Sequence, residues 1–149
     1  MNYVITEMTA GSIDGIAEIE KVCFSSPWTR EGIAQELSNP SSHFLTAVTD
    51  TVIAGYIGVQ EICGEAYITN VAVLPSYRGN GIAKALLNGA ISGAKSRNCE
   101  FITLEVRESN APAISLYESL SFETVGKRKN FYSNPTEDAI LYTLFFGKE

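Results

Sequence analysis

The spacing of apolar residues along the chain changes between the period of a strand and the period of a helix. From Ile82 onward apolar residues recur three and four positions apart, which predicts a long amphipathic helix. Runs of β-branched residues on either side of Asp50 and Thr51 predict a β-hairpin. Thr29 is a good N-cap for a shorter helix. The predicted strands are 3–7, 44–49, 52–62, 66–74, 101–106, 122–129 and 137–146, and the predicted helices are 12–23, 29–38, 80–96 and 111–120.

These elements follow one another in the order βααβββαβαββ, which predicts an α/β protein with helices layered on a mixed sheet. Since no repeat or linker divides the 149 residues, we expect one domain over 1–149. The apolar runs are shorter than the roughly 18–20 residues that span a bilayer, and the first residues do not resemble a signal peptide. We therefore expect a cytoplasmic protein with no membrane partner. A monomer is the default, because the sequence shows no heptad pattern or long apolar patch.

Charge and cysteine usage narrow the function classes. The net charge of −6 argues against a nucleic-acid partner. An acidic surface attracts a cationic acceptor, or it simply keeps the protein soluble, and both interpretations stay open for Glu20, Glu31, Glu108 and Glu137. Cys23, Cys63 and Cys99 are odd in number and each lies beside apolar residues, which predicts buried, reduced thiols. With one histidine, His43, expected to begin a surface strand, we predict no metal site.

A glycine loop joins the strand that ends near residue 74 to the long helix. Strand, loop and helix N-terminus in that order make an anion site, because the first-turn N–H groups and the helix dipole face the loop. Gly79 and Gly81 allow positive φ angles there. Lys84 is followed by Ala85, which excludes a Walker loop, and Lys84 also fills the position where a dinucleotide fingerprint needs a small residue. The loop therefore indicates a phosphate-bearing cofactor, with a plain strand-to-helix turn as the alternative.

The segment 104–122 is the second informative stretch. Asn110 is a good N-cap, and Pro112 falls in the first helical turn, where its missing N–H costs little. Tyr117 lies on the apolar face of that helix, so the residues alone favour a core tyrosine. Glu105, taken alone, is a carboxylate at the end of a strand in contact with water.

The pattern Arg78-x-x-Gly81-x-Ala83 resembles the signature of the GCN5-related N-acetyltransferase (GNAT) superfamily, whose members bind the acetyl-CoA pyrophosphate on this loop. Together with 104–122, Arg128-Lys129-Asn130-Phe131-Tyr132 and Glu137-Asp138-Ala139-Ile140, the chain resembles the branch that acetylates the N-terminal alanine of a small-subunit ribosomal protein. The resemblance implies the GNAT fold, with a mixed, mostly antiparallel sheet flanked by helices. Two departures are Ser121, where the family usually has Gly, and Ala83 in place of the commoner Gly.

The resemblance also implies roles for individual residues. Glu105 matches the family's proton acceptor and Tyr117 its proton donor. Trp28 either flanks the acceptor or only packs against the start of a helix. Tyr132, in a loop at 130–133, either binds a peptide or only covers the sheet edge. The implied cofactor contacts are the strand edge Val71, Ala72 and Val73, the loop Arg78, Gly79, Asn80, Gly81, Ile82, Ala83 and Lys84, and the helix cap Asn110.

The resulting hypothesis is direct transfer of an acetyl group from acetyl-CoA to a peptide α-amine in a ternary complex. An α-amine with a pKa near 7.7–8.0 is partly neutral at physiological pH and therefore demands little from a base. The three cysteines offer no obvious nucleophile for a covalent acetyl-enzyme. Two alternatives stay open: an enzyme that acetylates a small amine such as a polyamine or aminoglycoside, and a CoA-binding module without catalysis.

Overall fold

A computed structural model, which describes residues 2–147, folds the chain around one seven-stranded sheet. The elements are β1 Val4–Glu7, α1 Ile13–Cys23, α2 Arg30–Leu37, β2 Leu45–Thr49, β3 Val52–Ile62, β4 Glu65–Val73, α3 Ile82–Ser96, β5 Phe101–Arg107, α4 Ala111–Ser119, β6 Glu123–Tyr132 and β7 Glu137–Phe145. This order confirms the predicted βααβββαβαββ. Short 3₁₀ turns precede α1 and follow β4.

The strands lie in the order β1-β2-β3-β4-β5-β7-β6. Every neighbouring pair is antiparallel except β4 and β5, which run parallel. That parallel pairing covers only Glu65–Tyr67 against Phe101–Thr103. Beyond Tyr67 the two strands separate, so within residues 2–147 the rest of β4 has no strand partner on its β5 side. The predicted mixed, mostly antiparallel sheet is confirmed, and it contains a split at its centre.

A β-bulge sits in β4 next to this split. Gly58 of β3 pairs with Asn70, but the next residue, Val59, pairs with Ile68, which leaves Thr69 as the extra residue. The bulge changes which side chains of β4 face each layer of helices. Asn70 therefore reaches α1, where it donates a hydrogen bond to Glu20.

Helices cover both faces of the sheet, and each layer has its own hydrophobic core. One cluster packs α3 and α4 against the sheet through buried residues such as Leu86, Leu87, Ile102, Leu104 and Tyr117. The second packs α1 and α2 through Ile16, Ile19, Ile33, Phe44 and Tyr56. Along β5 the core residues alternate with half-buried Thr103, Glu105 and Arg107, which point to the opposite face.

Both predicted helix caps are confirmed by their hydrogen bonds. The Gly32 N–H donates to the Thr29 side-chain oxygen at 3.1 Å, and the Ala113 N–H donates to the Asn110 Oδ1 at 3.2 Å. Ser121, just past α4, adopts a φ of 72°, a left-handed conformation that favours glycine. Ser121 therefore replaces the family's glycine at a position where the backbone conformation favours glycine.

Three local predictions are wrong. Asn130–Tyr132 belongs to β6 rather than to a loop, because Tyr132 pairs with Glu137 and the turn shrinks to 133–136. Cys63 is exposed, since it sits in the tight β3–β4 turn with a φ of 52°. His43 precedes β2 instead of beginning it, and its N–H donates to the Val59 carbonyl at 2.8 Å. No helix within residues 2–147 is long and apolar enough to cross a membrane.

Candidate active site

The glycine loop has the backbone geometry of an anion site. Gly79 and Gly81 have φ angles of 82° and 77°, as predicted. Gly81 is the N-cap of α3, and the first helical bond runs from the Ala85 N–H to the Gly81 carbonyl. The N–H groups of residues 82–84 therefore have no acceptor in the helix, and no acidic side chain lies in the first turn. The Asn80 amide donates to the Tyr77 carbonyl at 3.0 Å and so holds the loop from within.

A cleft of about 540 Å³ runs from this loop along the unpaired edge of β4 to α4. The walls include the predicted proton donor Tyr117 and most of the predicted cofactor contacts, which are Val71, Ala72, Val73, Arg78, Gly79, Ile82, Ala83 and Asn110. Asn80, Gly81 and Lys84 belong to the same loop and helix start but do not line the cleft, and neither do Glu105, Trp28 or Tyr132. The sequence did not predict Cys23 and Phe24, at the end of α1, as lining residues.

The edge of β4 is oriented toward the cleft. The Leu74 N–H donates to Ala54 of β3, so the backbone groups of Val73 point the other way. The Val73 carbonyl accepts the Arg78 Nε at 3.0 Å and lies 3.6 Å from the Cys23 sulfur. By the same alternation Val71 presents its N–H and carbonyl to the cleft. This edge offers hydrogen bonds to an extended ligand.

Tyr117 lies in α4 with its ring in the core, as the residues alone indicate. The ring packs against Phe122 and Tyr142, with centroids 5.8 and 6.2 Å away. Its hydroxyl makes no hydrogen bond to any residue between 2 and 147. Burial raises the pKa of Tyr117 to about 12, with a smaller contribution from Tyr132. The hydroxyl therefore keeps its proton at neutral pH and is available as a donor.

Glu105 lies on β5 just past the point where β4 and β5 separate. The Tyr67 hydroxyl donates to its Oε1, and the Arg128 Nε lies 2.6 Å from its Oε2. The side chain is only 8% exposed, so Glu105 is not a carboxylate in open contact with water. Burial, followed by the hydrogen bond to Glu105, raises the pKa of Tyr67 well above its ordinary value. Tyr67 thus remains a donor to this carboxylate.

Trp28 and Tyr132 both lie outside the cleft. The Trp28 ring stacks on Phe44 with centroids 6.0 Å apart, ahead of α2. Tyr132 lies under the Arg107 guanidinium, 4.6 Å from the ring centroid, and burial raises the pKa of its hydroxyl. Arg107 also donates to the carbonyls of Ser133 and Pro135, so it fastens the β6–β7 turn to the end of β5. Substrate contacts by Trp28 and Tyr132 stay predictions.

Glu20 is the carboxylate whose surroundings the sequence predicted least well. It is 1% exposed, so it is not a solvated surface group. It accepts the Trp28 N–H at 2.8 Å, the Asn70 amide at 3.1 Å and the Tyr56 hydroxyl. These contacts join α1, the segment before α2, β3 and the β4 bulge. The sequence contains no signal for such a cluster, because its members are 8 to 50 residues apart.

The split sheet, the glycine loop at the start of α3 and the Tyr117 hydroxyl meet in one cleft, and comparison with known proteins identifies the chain as an acyltransferase. The model of the acetyltransferase (GNAT) family matches residues 13–122. The chain therefore belongs to the GNAT family.

Relatives of similar length carry one specific name. The [ribosomal protein bS18]-alanine N-acetyltransferase of Escherichia coli is 33% identical over 144 residues, covering 94% of this chain and 95% of the relative. The Haemophilus influenzae enzyme of that name is 31% identical over 147 residues, covering 95% and 98%. A Bacillus subtilis protein provisionally given the same name is 38% identical over 138 residues, covering 92% and 91%.

Solved structures show the same fold. The crystal structure of the ribosomal-protein-S18-alanine N-acetyltransferase from Escherichia coli matches with a TM-score of 0.91 at 29% identity, covering 99% of this chain and 96% of that one. NAA60 from Arabidopsis thaliana in complex with acetyl-CoA matches with a TM-score of 0.88 at 21% identity, covering 97% and 100%. That Arabidopsis protein therefore binds acetyl-CoA with this fold.

Proposed function

We propose that this acyltransferase uses acetyl-CoA to acetylate the N-terminal α-amine of alanine in ribosomal protein bS18. The names of the relatives support the acceptor, since three of them match nine-tenths or more of both chains. The observation that carries the proposal is the open edge of β4, which leads from the glycine loop to the Tyr117 hydroxyl inside one cleft.

The residues present fit acetyl-CoA at three points. The backbone at Gly79 and the first turn of α3 fits a pyrophosphate, because these N–H groups have no other acceptor. The N–H and carbonyl of Val71 and the N–H of Val73 fit the amides of a pantetheine arm, while the Val73 carbonyl already accepts the Arg78 Nε. The Asn110 Oδ1 caps α4, which leaves its amide nitrogen free to donate. Acetyl-CoA supplies the acetyl group as a thioester.

The proton transfers belong to the protein's own side chains. Glu105 accepts a proton from the α-amine, directly or through a water. Its two oxygens each hold one donor and retain a second lone pair for this task. Strand N–H groups near Val73 stabilise negative charge on the carbonyl oxygen. The Tyr117 hydroxyl gives its proton to the departing sulfur, which its pKa of about 12 permits at neutral pH.

Direct transfer has to be separated from a covalent route, because Cys23 lines the cleft. Its sulfur lies 3.8 Å from an Arg78 nitrogen. We propose that Cys23 is not acetylated during turnover, so that double-reciprocal plots at several acetyl-CoA concentrations intersect. Parallel lines, together with loss of activity in Cys23→Ala, would contradict direct transfer.

The acceptor is tested with purified protein, acetyl-CoA and three amines, and the products are mapped by mass spectrometry. One basic peptide begins with a free alanine, the second has a blocked N-terminus and internal lysines, and the third acceptor is a polyamine. We expect an acetyl group only on the free α-amine. Modification of the polyamine alone would overturn the assignment of a peptide α-amine as the acceptor. If no acceptor is modified although CoA binds, the proposed function fails.

The role of Tyr117 is tested by Tyr117→Phe. Losing a positioned general acid costs about 10²-fold or more in kcat, while the affinity for acetyl-CoA stays nearly unchanged. The neighbouring Tyr142→Phe is the matched control, since the Tyr142 hydroxyl donates to Glu118 at 3.1 Å and does not line the cleft. If the two variants have equal kcat, Tyr117 is only a core residue.

A further inference from the structure

We propose that Arg128 is a positioning residue for Glu105, which it reaches across an intervening strand over the small side chain of Ala139. This inference rests on the proposed function, in which Glu105 is the proton acceptor. Neither the glycine loop nor the cleft involves Arg128.

The sheet order makes this contact unusual. Glu105 is on β5 and Arg128 on β6, and β7 lies between them. Neighbouring strands are about 4.8 Å apart, so two side chains that connect the outer strands must together bridge about 10 Å across β7. The side chains of Arg128 and Glu105 meet over β7, where the Arg128 Nε lies 2.6 Å from the Glu105 Oε2.

Ala139 makes the path possible. It pairs with Arg128 on one side and with Arg107 on the other, so the three residues form one row on the same face of the sheet. Ala139 is fully buried under its neighbours. Glu105 lies one row further along, opposite Leu141, so the Arg128 side chain runs obliquely from the Ala139 row, and we expect a β-branched residue at position 139 to crowd it. The small residue in the row is therefore part of the arrangement that holds Glu105.

Arg107 cannot take over this role, although it is two residues from Glu105 on the same strand. Its guanidinium donates to the carbonyls of Ser133 and Pro135 and to the Glu137 carboxylate. Within residues 2–147, Arg128 is the cation that pairs with Glu105.

The two donors hold the carboxylate from opposite sides. Tyr67 of β4 occupies one oxygen and Arg128 of β6 the other, so the carboxylate plane of Glu105 is fixed at the point where β4 and β5 separate. Displacement of a catalytic group by about 1 Å can cost about 10²-fold in rate. Arg128 thus acts on the reaction through the orientation of Glu105, and we expect its loss to lower kcat and leave the KM for acetyl-CoA unchanged.

The first test is a double-mutant cycle on kcat with the alanine peptide. Arg128→Met is expected to lower kcat about 10-fold or more, and Arg128→Lys to restore part of the loss. Lys127→Met is the matched control, because Lys127 is adjacent but pairs with Glu108 and Asp138 on the other face. In the Glu105→Gln background, adding Arg128→Met is expected to change kcat less than twofold. Full additivity of the two losses would overturn the positioning role.

The second test is the pH profile, which a purely structural role would not move. Above about pH 8 most of the peptide α-amine is already neutral, so the reaction depends less on Glu105 taking a proton from the ammonium form before attack. The groups that face Glu105 are Tyr67, Arg128 and Tyr132, and burial raises the pKa of both tyrosines. They keep their protons at pH 9.5. The kcat defects of Arg128→Met and Glu105→Gln are therefore expected to shrink together between pH 7 and 9.5.

These outcomes separate the two proposals. Full activity of Glu105→Gln at pH 7 would show that Glu105 is not the proton acceptor. The positioning role of Arg128 would then have no basis. A large defect in Glu105→Gln that shrinks at high pH, beside an Arg128→Met defect that does not, would leave the proposed function standing and overturn the positioning role. Ala139→Val is an independent variant that keeps both charged side chains. Provided that its circular dichroism spectrum is unchanged, we expect it to lower kcat as Arg128→Met does.

Discussion

Glu20 gives the sharpest test of how α1 and the segment before α2 are held to the sheet. Glu20→Ala removes the acceptor of three donors, which are the buried Tyr56 hydroxyl and the half-buried Trp28 N–H and Asn70 amide. Burial raises the pKa of Tyr56, so this hydroxyl stays a donor at all ordinary pH values. Each unsatisfied buried donor costs about 1–3 kcal/mol, so three fully buried donors would set an upper range of about 3–9 kcal/mol.

The expected net loss is near the lower end of that range. A water that enters the vacated space can accept from some of the donors, and the folded state no longer has to bury a carboxyl group. We therefore expect Glu20→Ala to lower the free energy of unfolding by about 3 kcal/mol. Glu20→Gln keeps the shape and one acceptor oxygen, but its amide group meets other donors, so we expect a loss of about 1–2 kcal/mol.

The assay is urea denaturation followed by far-ultraviolet circular dichroism, which does not depend on the surroundings of Trp28. Glu18→Ala is the matched control, because Glu18 lies in the same helix and is exposed. Surface substitutions of this kind stay within about 0.5 kcal/mol. A difference below about 1 kcal/mol between Glu20→Ala and Glu18→Ala, at equal m-values, would refute the reasoning.

Two further predictions concern stability. The pKa of Tyr117 is raised from 10.0 to about 12, so its stabilising contribution is complete below pH 10 and is lost as the pH rises toward 12. At pH 11 the expected loss is about 1.4 kcal/mol in the free energy of unfolding. It is measured by urea unfolding of wild type and Tyr117→Phe at pH 8 and pH 11, as the extra stability that wild type loses between the two pH values. An equal loss in both proteins would contradict the prediction. Ser121 has a φ of 72°, which costs an L-residue about 1–2 kcal/mol. Because glycine also has more freedom in the unfolded chain, Ser121→Gly is expected to stabilise by about 0.5–1 kcal/mol, whereas Ser115→Gly, at an exposed position inside α4, destabilises; a lower denaturation midpoint for Ser121→Gly would show that the strain is absent.

Local features of the sequence predicted the parts of the molecule that local chemistry decides. The helix spacing from Ile82 onward, the cap at Asn110 and the glycines at 79 and 81 all depend on residues within a few positions. The order of the elements followed from the same patterns. The family resemblance then implied roles for Glu105 and Tyr117, which residue type and spacing alone left as ordinary structural positions.

Contacts between distant strands could not be predicted in this way. The Tyr67 hydroxyl meets a carboxylate 38 residues away, and only the three-residue register of β4 and β5 brings the two together. The route of Arg128 over Ala139 requires the order β5-β7-β6, which periodicity does not determine. Glu20 is polar in the sequence and buried in the fold, because its partners come from three separate segments.

The split between β4 and β5 has a consequence for how the enzyme responds to its surroundings. Only three residue pairs join the two halves of the sheet there, so a ligand that occupies the open edge takes the place of missing strand contacts. On the proposed function that ligand is acetyl-CoA, and at 100 times its dissociation constant it adds about 2.7 kcal/mol to the stability of the fold. A cell that runs short of acetyl-CoA then has an enzyme that is slower and also more easily unfolded and degraded.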